Sequence, residues 1–546
     1  MSHLLEELDK LSTTLCALLD NYINTCAKLR DHYFQERATN KLEELLDLVA
    51  NELQLVASHG VKLKQAEALM KAVRNSSPAI VPISSLPPEI LTRIFCIVLY
   101  DQPEPLDASG APLKVSLSFP KYPETLSQVC FGWRQIAIGS HSLWTRIDLV
   151  LNHPLGPSFL ERAKVHVRRA GQMPLDIRMI DPTLNRDYLP HGAKPYEFQA
   201  HDFLASSQTA MRSLSLVSYH GFHSEHYDLI GYCIVNCAQK TLEQLVIWDV
   251  YGYAGFIPNC FIESASNPHY LESFQIDLPG RSLEDIWHST SVLRLAGLYP
   301  YWTSRAYHQL VELRLGSTRG TPSVSISETH IIGILKASPE LRALHLHLAL
   351  DGRVPKNPPI FPVQLDELET VSLGSLGMSS ILRFIAPGEK PLQLSIFGRP
   401  TDVVEQFLRR SNITQFHMTC WGNDPLTNMT RLCPNLRVLV LDSRGVGRLN
   451  FPNDYEHEDE SAVTTPIRLQ SLYILGCGDV KLIDLQQIVE RYSIKELTLW
   501  STYPTIIDEH SSKSRTANEF EISTLCPVVN YLGNGGRNPT DDWDIF

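Results

Sequence analysis

The stretch Leu310-Val-Glu-Leu313-Arg-Leu315 carries a short pattern, apolar-x-x-apolar-x-apolar, that recurs along most of the chain. Other clear copies begin at Leu242, Leu271, Leu341, Leu368, Leu436, Leu469 and Ile494, and weaker ones centre on Leu214, Leu293, Leu394 and Phe416. Taken at the middle apolar residue, the copies fall at 214, 245, 274, 293, 313, 344, 371, 394, 416, 439, 472 and 497. Their spacing is about 26 residues on average, a period at which each repeat supplies one strand and one returning segment. The alternation that closes each copy predicts a strand with one buried face. A single repeat cannot bury that face alone, so the copies are expected to stack into one parallel sheet. Stretches around Ile147 and Leu175 read as divergent first turns.

The period and the strand signature are those of leucine-rich repeats. The expected fold is therefore mixed α/β, with a leucine-rich-repeat-like solenoid over residues 150–510 and a cap or tail over 511–546. In such a solenoid the apolar positions point inward, and the residues between them line a parallel concave sheet. Those outward positions read Trp248, Gln275, Asp277, Arg294, Glu312, Arg314, His345, His347, Phe397, His417, Asp442, Tyr473, Glu496, Thr498 and Trp500. From them Trp248, Arg294, Arg314, His345, His347, His417, Tyr473 and Trp500 are the candidate substrate-binding residues. A basic, histidine-bearing middle followed by an aromatic and acidic end suits a protein or peptide target, with Arg pairing carboxylates and aromatic rings as anchors.

Composition bounds the remaining possibilities. The 546 residues allow about three or four compact units or one long repeat array. A net charge of −12 repels phosphate backbones, so nucleic acid is not an expected partner. No apolar run reaches the length of a membrane span, and MSHLLEELDK at the start is acidic rather than signal-like, so no membrane is expected either. The 11 cysteines are odd in number and scattered, as buried reduced thiols are, which places the expected compartment in the cytoplasm or nucleus.

Upstream of the repeats, residues 1–76 have helix composition. Leu4, Leu8, Leu11, Leu15, Leu18, Leu19 and Tyr22, then Leu42, Leu45, Leu46, Val49, Leu53 and Val56, recur at three- and four-residue steps. A helical hairpin is expected, either packed on the body of the protein or offering a coiled-coil face. The segment 77–149 holds ISSLPPEILTRIFCIVLY at 83–100, then a Pro-rich interval at 101–123, then ETLSQVCFGWRQIAIGSHSLWTRIDLV from 124. Ser85, Glu89 and Pro87-Pro88 predict a helix start, with Ile90, Leu91, Ile94, Phe95 and Val98 forming a buried stripe beside an exposed apolar edge. A second helix is expected to carry Leu126, Val129, Cys130, Trp133 and Ile136 on one face.

These residues resemble an F-box: Leu-Pro-Pro-Glu-Ile-Leu, Ile-Phe, Val-Cys-x-x-Trp and Leu-Trp in that order. The chain is similar to fungal-type F-box proteins with leucine-rich repeats, in which an insert parts the first helix from the rest. The resemblance implies a substrate-receptor subunit of an SCF-type, cullin-RING ubiquitin ligase. It implies a Skp-type adaptor as partner, through it a cullin scaffold, and a target protein held by the repeats. The positions matching the family's adaptor contact are Leu86, Pro87, Glu89, Ile90, Leu91, Ile94 and Phe95, with Val129, Cys130 and Trp133. A repeat scaffold with a degenerate F-box that recruits no ligase is the alternative.

No catalytic or cofactor motif emerges. His220, His223 and His226 recur at three-residue steps, but no further Cys or His cluster completes a tetrahedral metal set, so no metal is expected. Cys233 and Cys237 read as core packing, and Glu456 to Glu460 as a solvated loop. Phosphate-binding glycine loops are absent, and no nucleophile has an adjacent base. The chain is not expected to be an enzyme.

Overall fold

The computed structural model describes residues 2–540 apart from 36–41, 76–79, 81, 101–105, 108–115, 118–120, 183–196, 207–209, 220, 239, 251–260, 266–272, 279–281, 318–323, 353–360, 399, 420–431, 444–468, 508–513 and 534–537. Two compact units emerge, one comprising 1–90 with 130–132 and the other 91–129 with 133–546.

The first unit is built on helices Ser2–Gln35 and Leu42–Asn75, as their Gly- and Pro-poor composition requires. Tyr22 donates to the Glu52 carboxylate at 2.6 Å, linking the two, and that bond raises the phenol to about 12. Leu4, Leu11, Leu18, Leu53 and Leu69 nevertheless remain exposed. Neither helix, nor any other described helix, is long and apolar enough to cross a membrane.

The second unit is dominated by a 14-stranded sheet whose strands follow chain order from Arg146–Val150 to Val528–Leu532. Every neighbouring pair is parallel, and the sheet is open rather than closed into a barrel. Its register puts the middle apolar residue of each repeat in one row, running Leu245, Leu293, Leu313, Leu344, Val371, Leu394, Phe416, Leu439, Leu472 and Leu497. None of these is more than 1% exposed. Stacked returns, such as helices Glu328–Ala337, Asp402–Arg410 and Leu482–Arg491, cover the row. Ser327 caps the first of them by accepting from the His330 amide at 3.3 Å. This is a mixed α/β, leucine-rich-repeat-like solenoid.

Three features differ from the reading of the sequence. Phe274–Ile276 does not join the main sheet. It pairs with Phe261–Ser264 in a separate three-stranded sheet, and Leu245 registers directly with Leu293. Gln275 and Asp277 therefore leave the outward row, and Leu271 lies outside the described residues. The local pattern of that copy is shared by any half-buried strand, and only the pairing partner tells the two sheets apart. The sheet also begins at Arg146, before the expected boundary at 150. It ends at Leu532, inside the segment expected as cap or tail, where Val528–Leu532 adds a parallel strand beside Glu496–Trp500. Of the insert at 101–123, the described part holds a two-stranded pairing of Leu106–Asp107 with Ser116–Leu117.

Because Leu344 is enclosed on the ladder between Leu313 and Val371, truncation there leaves a cavity that neighbouring strands cannot close. Leu344→Ala is expected to lower the stability of the second unit by about 3 kcal/mol, read as an earlier urea midpoint.

Candidate functional site

The helix Pro88–Tyr100 has two apolar faces, because its apolar residues outnumber those one stripe can hold. Leu91, Phe95 and Leu99, at i, i+4 and i+8, are buried. Ile90, Ile94 and Ile97, at i, i+4 and i+7, turn outward, with Ile94 half-buried, Ile90 46% exposed and Ile97 60% exposed. The expected adaptor positions thus separate. Pro87, Glu89, Ile90, Val129 and Cys130 are exposed, and Leu86, Ile94 and Trp133 are half-buried. Leu91 and Phe95 are inside the fold, and their work is to hold the helix in place; Phe95 meets the Trp133 ring at a centroid distance of 4.8 Å.

The second helix is broken. Glu124–Val129 ends and Phe131–Gly139 begins across Cys130, so the single face expected for Leu126, Val129, Cys130, Trp133 and Ile136 does not exist. Leu126 is buried, while Val129 and Cys130 face solvent. Sequence reasoning missed Ile97, Tyr100, Phe131 and Ile138, all exposed apolar residues of these helices. Their signal was available as apolar residues off the main stripe.

A buried ion network joins these helices to the start of the solenoid. Arg162, on helix Gly156–Ala170, donates from Nε to Glu124 Oε1 at 2.7 Å and from Nη1 to Asp148 Oδ2 at 3.3 Å. Its Nη2 reaches the Tyr122 carbonyl at 2.9 Å. His166 sits 2.8 Å from the same Glu124 oxygen and 2.9 Å from the Arg146 carbonyl. Burial by itself would raise the Glu124 carboxyl, but the His166 and Arg162 bonds outweigh it and hold the group down at about 2. Trp144 closes the junction: its indole donates to the Ala137 carbonyl at 2.7 Å, and Arg169 lies 4.2 Å over its ring.

On the outward face of the sheet, one register row passes from Arg294 through Arg314, His345, Ser372, Ser395, His417, Val440 and Tyr473 to Thr498. The eight candidate substrate residues are not equally accessible. His345 and His417 are buried, whereas Trp248, Arg294, Arg314, His347, Tyr473 and Trp500 are half-buried. Strands about 4.8 Å apart leave little room between long side chains, so a residue flanked by larger ones is covered even on an outward face. His417 instead accepts or donates at Ser395 Oγ, 2.8 Å from its Nδ1. Two large rings lie down along the sheet: a Cβ at Gly316 would meet the Trp248 ring at 2.8 Å, and one at Gly374 would meet His347 at 2.6 Å. Trp248 reaches over Ala296 on the neighbouring strand to Gly316 on the one beyond, and the missing side chains at Gly316 and Gly374 leave room for the two rings.

The charge of this row is also less basic than its composition implied. Arg294 forms a bidentate pair with Glu312, at 2.7 and 3.1 Å, and Arg314 bonds the same carboxylate. Burial, then the Arg314 charge, pushes His345 down to about 3 and His347 down to about 4, so both are neutral at pH 7. Two guanidiniums and one carboxylate leave one net positive charge, suited to an acidic side chain of a partner. Burial pushes the Cys233 thiol up to about 12, which leaves it an unreactive core residue. Cys237 is buried close by in sequence, and the described cysteines are all free. His220 and Glu456 to Glu460 lie outside the described residues.

Replacing Arg162 by Met takes one partner each from Glu124 and Asp148, which keep His166 and Arg146, and is expected to cost about 3 kcal/mol, measured by chemical denaturation. The histidines predict a pH dependence. Their folded pKa values lie below the ordinary 6.5, so the unfolded chain takes up protons first on acidification. Their contribution to stability is full above pH 6.5 and is lost as pH falls from there through about 4 and about 3. Urea titrations across that interval are expected to show the loss, and His347→Gln to reduce it.

No family model matches the sequence, and no curated protein matches it. Among solved structures, the crystal structure of the Rad7 and Elc1 complex in yeast aligns with 91% of this chain and 99% of that one, at 12% identity and a TM-score of 0.34. A likeness at that score carries no weight for fold or function, which rest on the residues and geometry above.

Proposed function

We propose that the chain is a substrate receptor of an SCF-type, cullin-RING ubiquitin ligase, with no catalytic chemistry of its own. The observation that carries this reading is the two-faced helix Pro88–Tyr100. It spends Leu91, Phe95 and Leu99 on its own core and still presents Ile90, Ile94 and Ile97 along a second face. An apolar face left over on a short helix is what a helical adaptor needs, and desolvated aliphatic anchors dominate such contacts. By the F-box resemblance, that partner is a Skp-type adaptor, and through it a cullin.

The repeat sheet then serves as the platform for a target protein. Trp248 on the fourth strand and Trp500 on the thirteenth offer apolar area, and Arg294 and Arg314 offer charge between them. Catalysis is positional. Holding the target near a ubiquitin-loaded enzyme converts a bimolecular encounter into an effectively intramolecular one, with local concentrations on the order of mM. The Arg162 network supports this role, because a rigid junction keeps the second half of the helical region fixed relative to the first repeats. The cytoplasm or nucleus, where such ligases act and thiols stay reduced, is the compartment this reading requires.

The test is a pull-down of the full chain with its Skp-type adaptor. Wild type is expected to bind, and an Ile97→Asp, Val129→Asp variant, checked for folding by circular dichroism, to lose at least about 30-fold in affinity. Failure of the folded wild type to bind would overturn the receptor reading and leave a repeat scaffold that recruits no ligase.

A further inference from the structure

The sequence offers His220, His223 and His226 with no further cluster to complete a metal set, and for the last two the fold supplies a carboxylate from 42 residues upstream of His223. Asp181 is the last residue of strand Leu175–Asp181, and its carboxylate points at the start of helix Ser224–Asn236. His226 Nε2 lies 3.1 Å and His223 Nε2 3.6 Å from the same oxygen, Asp181 Oδ2. One ligand atom from each of the three residues falls within 4.8 Å of the others. A tetrahedral Zn²⁺ with bonds of about 2.0–2.1 Å holds its ligand atoms about 3.3 Å apart, so the two measured separations straddle the edge of such a polyhedron.

The surroundings are those of a ligand set rather than of a simple ion pair. His226 is fully buried, its Nδ1 accepts the His223 amide at 3.4 Å, and its Nε2 faces the Asp181 carboxylate without meeting the alignment of a regular hydrogen bond. Glu225 Oε2 is 2.5 Å from His223 Nδ1. A carboxylate beside the far nitrogen is the usual outer support of a metal-bound histidine, and Glu225 stands at that place without the alignment of a hydrogen bond. Asn152 steadies the third ligand by donating to Asp181 Oδ2 at 2.8 Å. The two imidazoles stack with centroids 3.8 Å apart at 26°, so binding would open that angle until both lone pairs converge.

We propose that Asp181, His223 and His226 form a binding site for a single divalent transition-metal ion of the Zn²⁺ class, with the remaining position open to water. Two nitrogens and one oxygen select against Mg²⁺ and Ca²⁺, which take oxygen-rich sets. The ion would pin the end of one strand to the start of a helix two segments later, and its binding energy would add to the stability of the folded chain.

The experiment uses the full chain, purified without a polyhistidine tag and stripped with chelator. Calorimetric titration with ZnCl₂ alone is expected to give one equivalent bound and a raised melting temperature, with no competition from excess Mg²⁺. Asp181→Asn and His226→Gln are each expected to weaken binding by about 100-fold, and Glu225→Gln by about 10-fold. His288→Gln, an exposed histidine elsewhere, is expected to leave binding unchanged. Substitution of the wild type with Co²⁺ gives a readout that needs no variant: a visible d–d spectrum without a thiolate charge-transfer band is the expected result. No saturable binding by the folded wild type, a thiolate band, or unaltered affinity in folded Asp181→Asn would each overturn the proposal.

Discussion

The in-register parallel ladder is the constraint on which the rest of this protein depends. Each repeat sets one row residue, from Leu245 through Phe416 to Leu497, in register with its equivalents on the two flanking strands. Burial is therefore shared between neighbours and never completed within one repeat. A slip of one residue would turn every leucine outward and every arginine and serine of the adjoining row inward, so register and side-chain chemistry determine each other. The same rule explains how the chain tolerates unequal repeats. Between Leu245 and Leu293 a long excursion carries its own small sheet, and the ladder resumes beyond it with the same pairing.

Where the ladder begins, its exposed first strand has to be covered. Arg146–Val150 is covered by helix Gly156–Ala170, and that helix also brings Arg162 and His166 to Glu124. One guanidinium thus satisfies acids from a helix, a strand and a loop carbonyl together. Shared hydrogen bonds of this kind are worth little net stability against an apolar alternative, but they specify geometry, since no other packing satisfies every partner.

The outward face shows how neighbours redefine a residue's chemistry. His345 and His347 lose their charge through burial and the guanidinium of Arg314, and Arg294 and Arg314 spend part of theirs on Glu312. Trp248 and His347 lie flat because Gly316 and Gly374 leave room for their rings. The middle of this surface is consequently flatter and closer to neutral than a list of its residues implies.

The sequence by itself determined the repeat period, the parallel stacking it demands, the inward row and the helical region ahead of it, because each is written in local periodicity of apolar residues. It also marked the helix start at Pro88 and the apolar surplus of Ile90, Leu91, Ile94 and Phe95, though not which of them face inward. Only the tertiary structure decided that division, since a helix with two apolar faces is symmetrical until something packs on one of them. It likewise decided the break at Cys130, the exclusion of Phe274–Ile276 from the main sheet, and the covering of His345 and His417. Asp181 makes the point most directly. Nothing near it in the chain hints at a histidine partner, and the meeting with His223 and His226 exists because two strands and a helix return to the same edge of the sheet.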